Sequence, residues 1–236
     1  MTFLSRLFSS RRQLPPIEAQ RLDRWRSLSK PDLRASFEAS RYVVVDVETS
    51  GLNPTRDKLI SIGAVTVDGG RIALDDTFEI ILQQPTPSSH DNILIHGIGG
   101  TVQTSGTEPV RALLDFLEFV GNVPLVAFHA AFDETSIRRA IQKHIGVEFK
   151  HPWLDLAYLA PALYPKLAKR LRTLDDWTDQ FKIGNFARHS ALADAYSTAQ
   201  LLLVLINASK QFVSAQSFAD MAYQEKTQRA LVRLNQ

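Results

Sequence analysis

Cysteine is absent from this chain of 236 residues. Its absence excludes a disulfide framework and a thiolate zinc site, so any bound metal must be held by oxygen or imidazole ligands. Long apolar runs are also missing, since no stretch approaches the roughly 18 residues of a membrane span and residues 1–8 are too short for a secretory signal. We therefore expect a soluble protein of the reducing cytoplasm, without a transmembrane segment.

A strong charge of either sign is lacking as well, because the formal net charge is only +2. The charge is unevenly distributed: residues 1–41 contain nine Lys/Arg and four Asp/Glu, and the remainder contains 18 Lys/Arg and 21 Asp/Glu. The basic excess is therefore an N-terminal arm. Such an arm can meet phosphates, acidic lipid or an acidic partner, and charge alone does not choose among them.

The hydrophobic pattern predicts an α/β domain with a helical N-terminal extension. Strands are predicted at residues 42–47, 59–67, 71–82 and 124–128, with a hairpin at Asp68-Gly69-Gly70. Helices are predicted at 108–120, 131–144, 154–163, 171–181, 191–206 and 211–234, and a further helix carries the apolar residues Ile17, Leu22, Trp25, Leu28, Leu33 and Phe37. We expect an N-terminal extension (1–40), a mixed-sheet domain (41–207) and a C-terminal helix (208–236).

Two acidic residues end the first predicted strand. Asp46 and Glu48 are two positions apart, so strand alternation places both carboxylates on one face, at the carboxyl edge of the sheet. Crowded carboxylates repel each other, and a divalent cation is the simplest partner for them. The alternative is that one of them caps a loop or pairs with an arginine.

Two later segments carry further candidate residues. Asp133 falls in the first turn of a predicted helix, where the helix dipole alone would also favour it. His189 and Asp194 are five residues apart, which is about 140° around a helix, so we expect His189 in the loop before the helix and Asp194 pointing inward from its first turns. An ordinary solvent-facing histidine is the alternative for His189.

Together these three segments resemble the exonuclease motifs of the DEDD superfamily, in its His-containing subgroup. That subgroup includes the proofreading epsilon subunits of bacterial replicative polymerases, ribonuclease T and oligoribonuclease. The resemblance covers about residues 41–205, with Asp46-x-Glu48-Thr49 as the first motif, Asp133 as the second, and His189 with Asp194 as the third. It implies a ribonuclease H-like α/β fold, with a mixed five-stranded sheet flanked by helices.

The resemblance also implies a reaction. Asp46, Glu48, Asp133 and Asp194 would hold two Mg²⁺ ions, for which Mn²⁺ can substitute, and His189 would accept the proton of the attacking water. The substrate would be the 3′ end of a single-stranded or frayed nucleic acid, with DNA favoured, and the product a nucleoside 5′-monophosphate. An RNA-trimming enzyme of the ribonuclease T type is the main alternative, and a catalytically silent nucleic-acid-binding module is another.

Four more residues are implied as contacts to the strand end: Thr49, Leu52, His96 and Phe132. At Phe128-His129, before the alanine of the second motif, the sequence departs from the His-Asn that many relatives carry. Lys166, Lys169, Arg170 and Arg172 form either a phosphate-binding stripe or a solvated helix face. A polymerase or another protein is the partner we expect for the N-terminal extension.

Overall fold

Five strands form one mixed sheet in the computed structural model, which describes residues 14–184 and 189–234. The strands are β1 (Arg41–Thr49), β2 (Leu59–Asp68), β3 (Arg71–Ile81), β4 (Leu125–Ala127) and β5 (Trp153–Asp155). They lie in the order β3-β2-β1-β4-β5, with antiparallel pairing from β3 to β1 and parallel pairing from β1 to β5. The predicted mixed sheet is thereby confirmed.

The predicted hairpin between β2 and β3 is also confirmed. Asp68 pairs with Arg71, and the two residues between them are Gly69, with φ of 56°, and Gly70, with φ of 74°. Consecutive positive φ values define the tight turn whose twist matches that of the flanking strands, and glycine adopts them at little cost.

Helices flank the sheet in the described residues. They are α1 (Pro16–Arg26), α2 (His90–His96), α3 (Gly100–Thr104), α4 (Pro109–Val120), α5 (Ala130–His144), α6 (Leu156–Leu163), α7 (Leu174–Gln180), α8 (Ala191–Val213) and α9 (Phe218–Leu234), with a 3₁₀ turn at Phe37–Ala39. Sequence analysis did not anticipate α2 and α3.

Several predicted helix boundaries are wrong, and one of them is the start predicted at residue 171, since Thr173 caps α7 and the helix begins at Leu174. The helix predicted at 154–163 begins only at Leu156, because the residues before it form β5 and Asp155 caps the helix by accepting the N–H of Ala157 at 3.0 Å. The helix predicted from 211 starts at Phe218, because α8 runs on to Val213 and the chain turns at Ser214, with φ of 53°.

The N-terminal extension lies on the domain as predicted, although its helix is shorter. In α1, Leu22 is buried and Arg21 forms ion pairs at 2.6 Å with both Asp115 and Glu118 of α4. The indole N–H of Trp25 donates to the carbonyl of Gly121 at 2.7 Å. The helix ends at Arg26, well short of the predicted end near Phe37. The first 13 residues of the arm lie outside the described residues.

The two faces of β1 pack against different apolar clusters. Val43, Val45 and Val47 pack into the cluster formed with α4 and α5. Tyr42 and Val44 face the opposite cluster, where α6, α8 and α9 contribute most of the apolar side chains. Alternation then places Asp46 and Glu48 on the face that α8 covers.

Helix α8 is long and apolar enough to cross a membrane by length and composition alone, with 23 residues and a mean hydropathy of 1.3. In the fold, 61% of its apolar window is buried and the helix packs against β1 and β2. Its apolar character is therefore explained by its place in the core. The sequence predicted this helix at 191–206, and in the structure it continues to Val213.

A glycine on β2 sets the distance between this helix and the sheet. Gly63 pairs with Asp46 across the two strands, so both residues present the same face. A Cβ placed on Gly63 would lie 2.2 Å from the carbonyl carbon of Ala191 and 2.2 Å from the amide nitrogen of Leu192. The first turn of α8 therefore rests directly on the β2 backbone, beside Asp46.

We expect Gly63→Ala to displace the start of α8 and to destabilise the protein by about 3 kcal/mol, because the added methyl meets backbone rather than a flexible side chain. Thermal or urea unfolding measures this loss. Gly99→Ala is the matched control, since a Cβ at Gly99 meets no heavy atom within 4 Å. Equal stability of the two variants would contradict the close packing of α8 on β2.

Candidate active site

Three acidic side chains converge at the carboxyl edge of β1. Asp46, Glu48 and Asp194 each place one carboxylate oxygen within 4.8 Å of the others. Asp46 and Glu48 are half-buried, and Asp194 in the first turn of α8 is 5% exposed. The close packing at Gly63 brings the third carboxylate to the two on β1.

The placement predicted for the third motif is confirmed. His189 lies before α8 in a left-handed conformation, with φ of 63°, and its side chain is exposed. Its backbone N–H donates to Oδ2 of Asp194 at 3.1 Å. This bond fixes one oxygen of Asp194 and holds the imidazole-bearing residue beside the three carboxylates. Arg188, which precedes it in the motif, lies outside the described residues.

Asp133 lies beside this cluster and is not one of its three members. Its carboxyl is 4% exposed in the first turn of α5, and the backbone of Val47, the residue between Asp46 and Glu48, acts to lower its pKa. Burial raises the pKa of Asp133 well above its ordinary value of 3.8, and the charges of Asp155 and Glu48 raise it further. The fold thus brings the fourth predicted carboxylate to the same edge of the sheet.

Asp155, at the end of β5, was not predicted as a site residue. Its Oδ1 accepts the N–H of His129 at 3.0 Å, and His129 is the left-handed residue, with φ of 65°, that precedes α5. Asp155 therefore fixes the turn that leads to Asp133. The signal was available, since an aspartate directly before the apolar run 156–163 is typical of a helix cap.

A cation from the C-terminal helix approaches this buried aspartate. Arg229 on α9 lies 3.3 Å from Oδ2 of Asp155, 2.5 Å from Glu225, and over the ring of Tyr158, with its guanidinium carbon 4.4 Å from the ring centre. Burial raises the pKa of Asp155, and the charge of Arg229 acts against that rise. Nothing in the local sequence around Arg229 predicted this contact.

The four predicted substrate contacts have different surroundings. Leu52 is 94% exposed on the β1–β2 loop, and Phe132 is half-buried at the start of α5. Thr49 is buried and its hydroxyl donates to the carbonyl of Gly51 at 2.6 Å, which shapes that loop. Only Leu52 and Phe132 thus combine apolar character with accessible surface.

His96 is buried, and its ring is used within the protein. Nδ1 accepts the N–H of Ile98 at 2.9 Å, so Nε2 carries the proton, lying 2.9 Å from Oδ1 of Asn92 and 3.3 Å from the hydroxyl of Ser88. Burial lowers the pKa of His96, which favours this neutral form. The geometry gives His96 the task of shaping the segment between α2 and α3.

The basic stripe does not lie on a helix. Residues 165–170 form turns, and the side chains of Lys166, Lys169, Arg170 and Arg172 are exposed. The interpretation as a helix face is therefore wrong, because the segment is not helical. The exposure of the side chains agrees with that interpretation.

The donor set of the cluster fits a hard divalent cation. Three carboxylates supply only oxygen atoms, which Mg²⁺ prefers, and ligand atoms bound at about 2.1 Å to one such ion are up to roughly 4 Å apart. The 4.8 Å limit on the separations of Asp46, Glu48 and Asp194 is close to that span. These three residues can therefore hold a metal with little movement.

Solved structures similar to this fold include exonucleases. Escherichia coli exonuclease I in complex with a dT13 oligonucleotide aligns over 74% of this chain and 43% of that one, with a TM-score of 0.62 and 15% identity. Exonuclease X in complex with 5′-overhanging duplex DNA aligns over 78% of this chain and 99% of that one, with a TM-score of 0.60 and 21% identity. The likeness defines the class of fold, a ribonuclease H-like α/β sheet.

The exonuclease family matches residues 43–202, which include Asp46, Glu48, Asp133, His189 and Asp194, and the chain belongs to this family. The predicted membership of the DEDD superfamily is thereby confirmed, and with it the enzyme class, a 3′-to-5′ exonuclease hydrolase.

Relatives by sequence are much longer proteins. DNA polymerase III PolC-type of Thermotoga petrophila is 33% identical over 177 residues, which are 75% of this chain and 13% of that protein. DNA polymerase III PolC-type of Bacillus subtilis is 36% identical over 172 residues, 72% of this chain and 12% of that protein. The chain thus spans only a small part of the length of these relatives.

The raised pKa of Asp133 has a consequence for stability. An aspartate with a higher pKa in the folded than in the unfolded chain binds an extra proton when folded, so stability falls as the pH rises from about 4 through the folded pKa. In EDTA, we expect the melting temperature of the parent to fall across this window and that of Asp133→Asn to fall less. The exposed Asp91→Asn variant is the control, and identical pH profiles for all three proteins would contradict this assignment.

The pairing of Arg229 with Asp155 predicts a second loss. Arg229→Met leaves the carboxylates of Asp155 and Glu225 buried together without a cation, and we expect a destabilisation of about 2–3 kcal/mol at neutral pH, measured by urea unfolding. Arg233→Met changes an exposed arginine one turn further along the same helix and serves as control. If both variants unfold at the same urea concentration, the contact contributes nothing.

Proposed function

We propose that this protein is a divalent-metal-dependent 3′-to-5′ exonuclease that removes nucleotides from the 3′ ends of DNA and releases nucleoside 5′-monophosphates. The observation that carries the proposal is the convergence of Asp46, Glu48 and Asp194 within 4.8 Å, with His189 bonded to Asp194 through its backbone. Family membership supports the same reaction class.

In this proposal Asp46, Glu48, Asp133 and Asp194 hold Mg²⁺, or Mn²⁺ in its place. When bound, a pair of such ions lowers the pKa of a water molecule and stabilises the departing 3′ oxygen. The carboxylates would hold the ions at the carboxyl edge of β1. The contact between Gly63 and the start of α8 sets the position of Asp194 relative to the two carboxylates on β1.

His189 accepts the proton of the attacking water. Histidine titrates near neutral pH and suits this role, and positioned acid–base groups contribute about 10²–10⁴-fold to rate. The exposed ring of His189 is accessible to solvent, and its backbone bond to Asp194 places it next to the ligands. Its position before α8 leaves the side chain free to turn towards the scissile phosphate.

The exposed Leu52 and the half-buried Phe132 contact the terminal base or sugar, while Thr49 and His96 shape the segments around them. DNA is the substrate we favour, because the PolC-type relatives are DNA polymerases by name and the structural neighbours were solved with DNA. An RNA-trimming enzyme is the alternative, since the choice depends on contacts to the 2′-hydroxyl.

The setting of the reaction is also proposed. The PolC-type relatives support a role in proofreading or repair beside a polymerase, with the N-terminal extension as the contact. Because α1 is already held on α4, the surface offered to a partner would be its outer side, where Ile17 is 72% exposed. The cysteine-free composition supports the cytoplasm as location.

One assay tests the activity. The purified protein is given 3′-recessed, single-stranded and 3′-mismatched DNA and a matched RNA, each 5′-labelled, with Mg²⁺, Mn²⁺ or EDTA. We expect a ladder that shortens by single nucleotides with either metal and no cleavage in EDTA, with DNA degraded faster than RNA. Faster degradation of RNA would overturn the DNA preference, and cleavage in EDTA would overturn the metal dependence.

Two variants test the roles of individual residues. Asp194→Asn keeps the shape and removes a ligand charge, and we expect kcat to fall by at least about 10³-fold. His189→Gln removes the base, and we expect kcat to fall about 10²–10⁴-fold while the Mg²⁺ concentration for half-maximal rate stays within a factor of two. Folded variants with the parent's kcat would contradict these roles.

A further inference from the structure

A groove of about 220 Å³ lies between α5 and the β1–β2 loop. Four cationic side chains line it: Arg56, Lys58, Arg139 and Lys143. Among the described lining residues the only carboxylate is that of Asp57, whose Oδ2 accepts the backbone N–H of Asn53 at 2.7 Å. The groove therefore carries a clear excess of positive charge.

This excess contrasts with the rest of the domain. Beyond residue 41 the chain contains 18 Lys/Arg and 21 Asp/Glu, so four cations around one groove are a local concentration. Arg56, Lys58 and Lys143 are exposed. Arg139 is half-buried and donates to the carbonyls of Pro54 at 2.5 Å and Asp57 at 3.0 Å, which holds the loop against α5. These hydrogen bonds therefore hold the loop that carries Arg56 and Lys58 in place relative to α5.

A buried hydroxyl also lines the groove. Ser136 is 2% exposed, and its Oγ has no hydrogen-bond partner among the described residues. Buried polar groups in folded proteins are almost always hydrogen-bonded, so this hydroxyl is an unused polar group in the wall of the groove, and the preference for an anion comes from the four cations.

Helix α5 connects this groove to the active site. Asp133, Ser136, Ala140 and Lys143 follow at helical spacing along one side of α5, and the last three line the groove. Lys143 follows Asp133 by ten residues, which is roughly 15 Å along the helix. At a rise of about 3.4 Å per stacked nucleotide, this distance corresponds to about four nucleotides.

We propose that the groove formed by Arg56, Lys58, Arg139 and Lys143 binds backbone phosphates of the substrate strand up to about four nucleotides upstream of its 3′ end. This inference rests on the proposed exonuclease function, because it takes the strand end to lie at Asp133 and its neighbours. The groove then supplies affinity that does not depend on sequence, while the carboxylates perform the chemistry.

The test uses the full chain with Arg56→Gln/Lys143→Gln, which removes two exposed charges. The matched control is Arg71→Gln/Lys150→Gln, which removes two exposed charges near the starts of β3 and β5. These positions lie at the end of the sheet opposite to the carboxyl end of β1. Fluorescence anisotropy of labelled dT12 in EDTA gives Kd at several salt concentrations. Turnover of dT2 and dT12 with Mg²⁺ gives KM for a short and a long strand.

For the groove variant we expect Kd for dT12 to rise about tenfold and the slope of log Kd against log salt to fall by about 1.4, or 0.7 for each lost phosphate contact. The ratio of KM for dT2 to KM for dT12 should fall about tenfold, because only the long strand reaches the groove. The control variant should match the parent within a factor of two in all three quantities.

Equal behaviour of the two double variants would overturn the proposal, and so would a loss of the same size for dT2 and dT12, which would indicate that these charges act at the strand end and not upstream of it. The anisotropy measurement does not require turnover. Groove-dependent binding without release of 5′-monophosphates would therefore contradict the exonuclease function alone, whereas cleavage with indistinguishable double variants would contradict the groove alone.

Discussion

The direct contact between the β2 backbone at Gly63 and the start of α8 determines the geometry on which the site depends. Two carboxylates reach the edge of the sheet by strand alternation alone, since Asp46 and Glu48 share a face of β1. The third, on Asp194, comes from a helix more than 140 residues later in the chain and meets them only if that helix lies unusually close to the sheet. A residue without a side chain, opposite Asp46, permits that approach.

Burying so many acidic groups is unfavourable for the folded state. Burial raises the pKa of Asp133, Asp155 and Glu225, which shows that the fold does not readily accept their charged forms. Arg229 offsets part of this unfavourable energy at Asp155 and Glu225, on the side away from the reaction. Near Asp133 a bound cation would do the same, so ligand binding and stability are linked at this edge of the sheet.

Local pattern was sufficient for much of the fold and of the site. The β-branched run before Asp46, the Gly69-Gly70 turn, and the five-residue spacing of His189 and Asp194 each have one simple structural solution, and the structure adopts it. The three ordered motifs then supplied the family, which no single motif could have done.

What could not be predicted depends on contacts between distant segments. The short strand β5 has three residues, too few to show a period, and its last two residues fell within a predicted helix. The sequence also does not show that Ile98, Asn92 and Ser88 contact the ring of His96. Arg229 lies 74 residues from Asp155, and only the docking of α9 brings them together.

Helix α9 lies outside the region that the family model matches and still packs against the domain. The family region ends at residue 202, within α8. Phe218 and Met221 of α9 nevertheless complete the apolar cluster under β1, and Leu33 accepts a backbone hydrogen bond from Ala219 at 2.9 Å. A fragment limited to residues 43–202 would expose that cluster and would lack Arg229, the cation beside Asp155. In this chain the smallest autonomous nuclease is therefore larger than the motif-bearing region, and engineering or transplanting it requires both flanking segments.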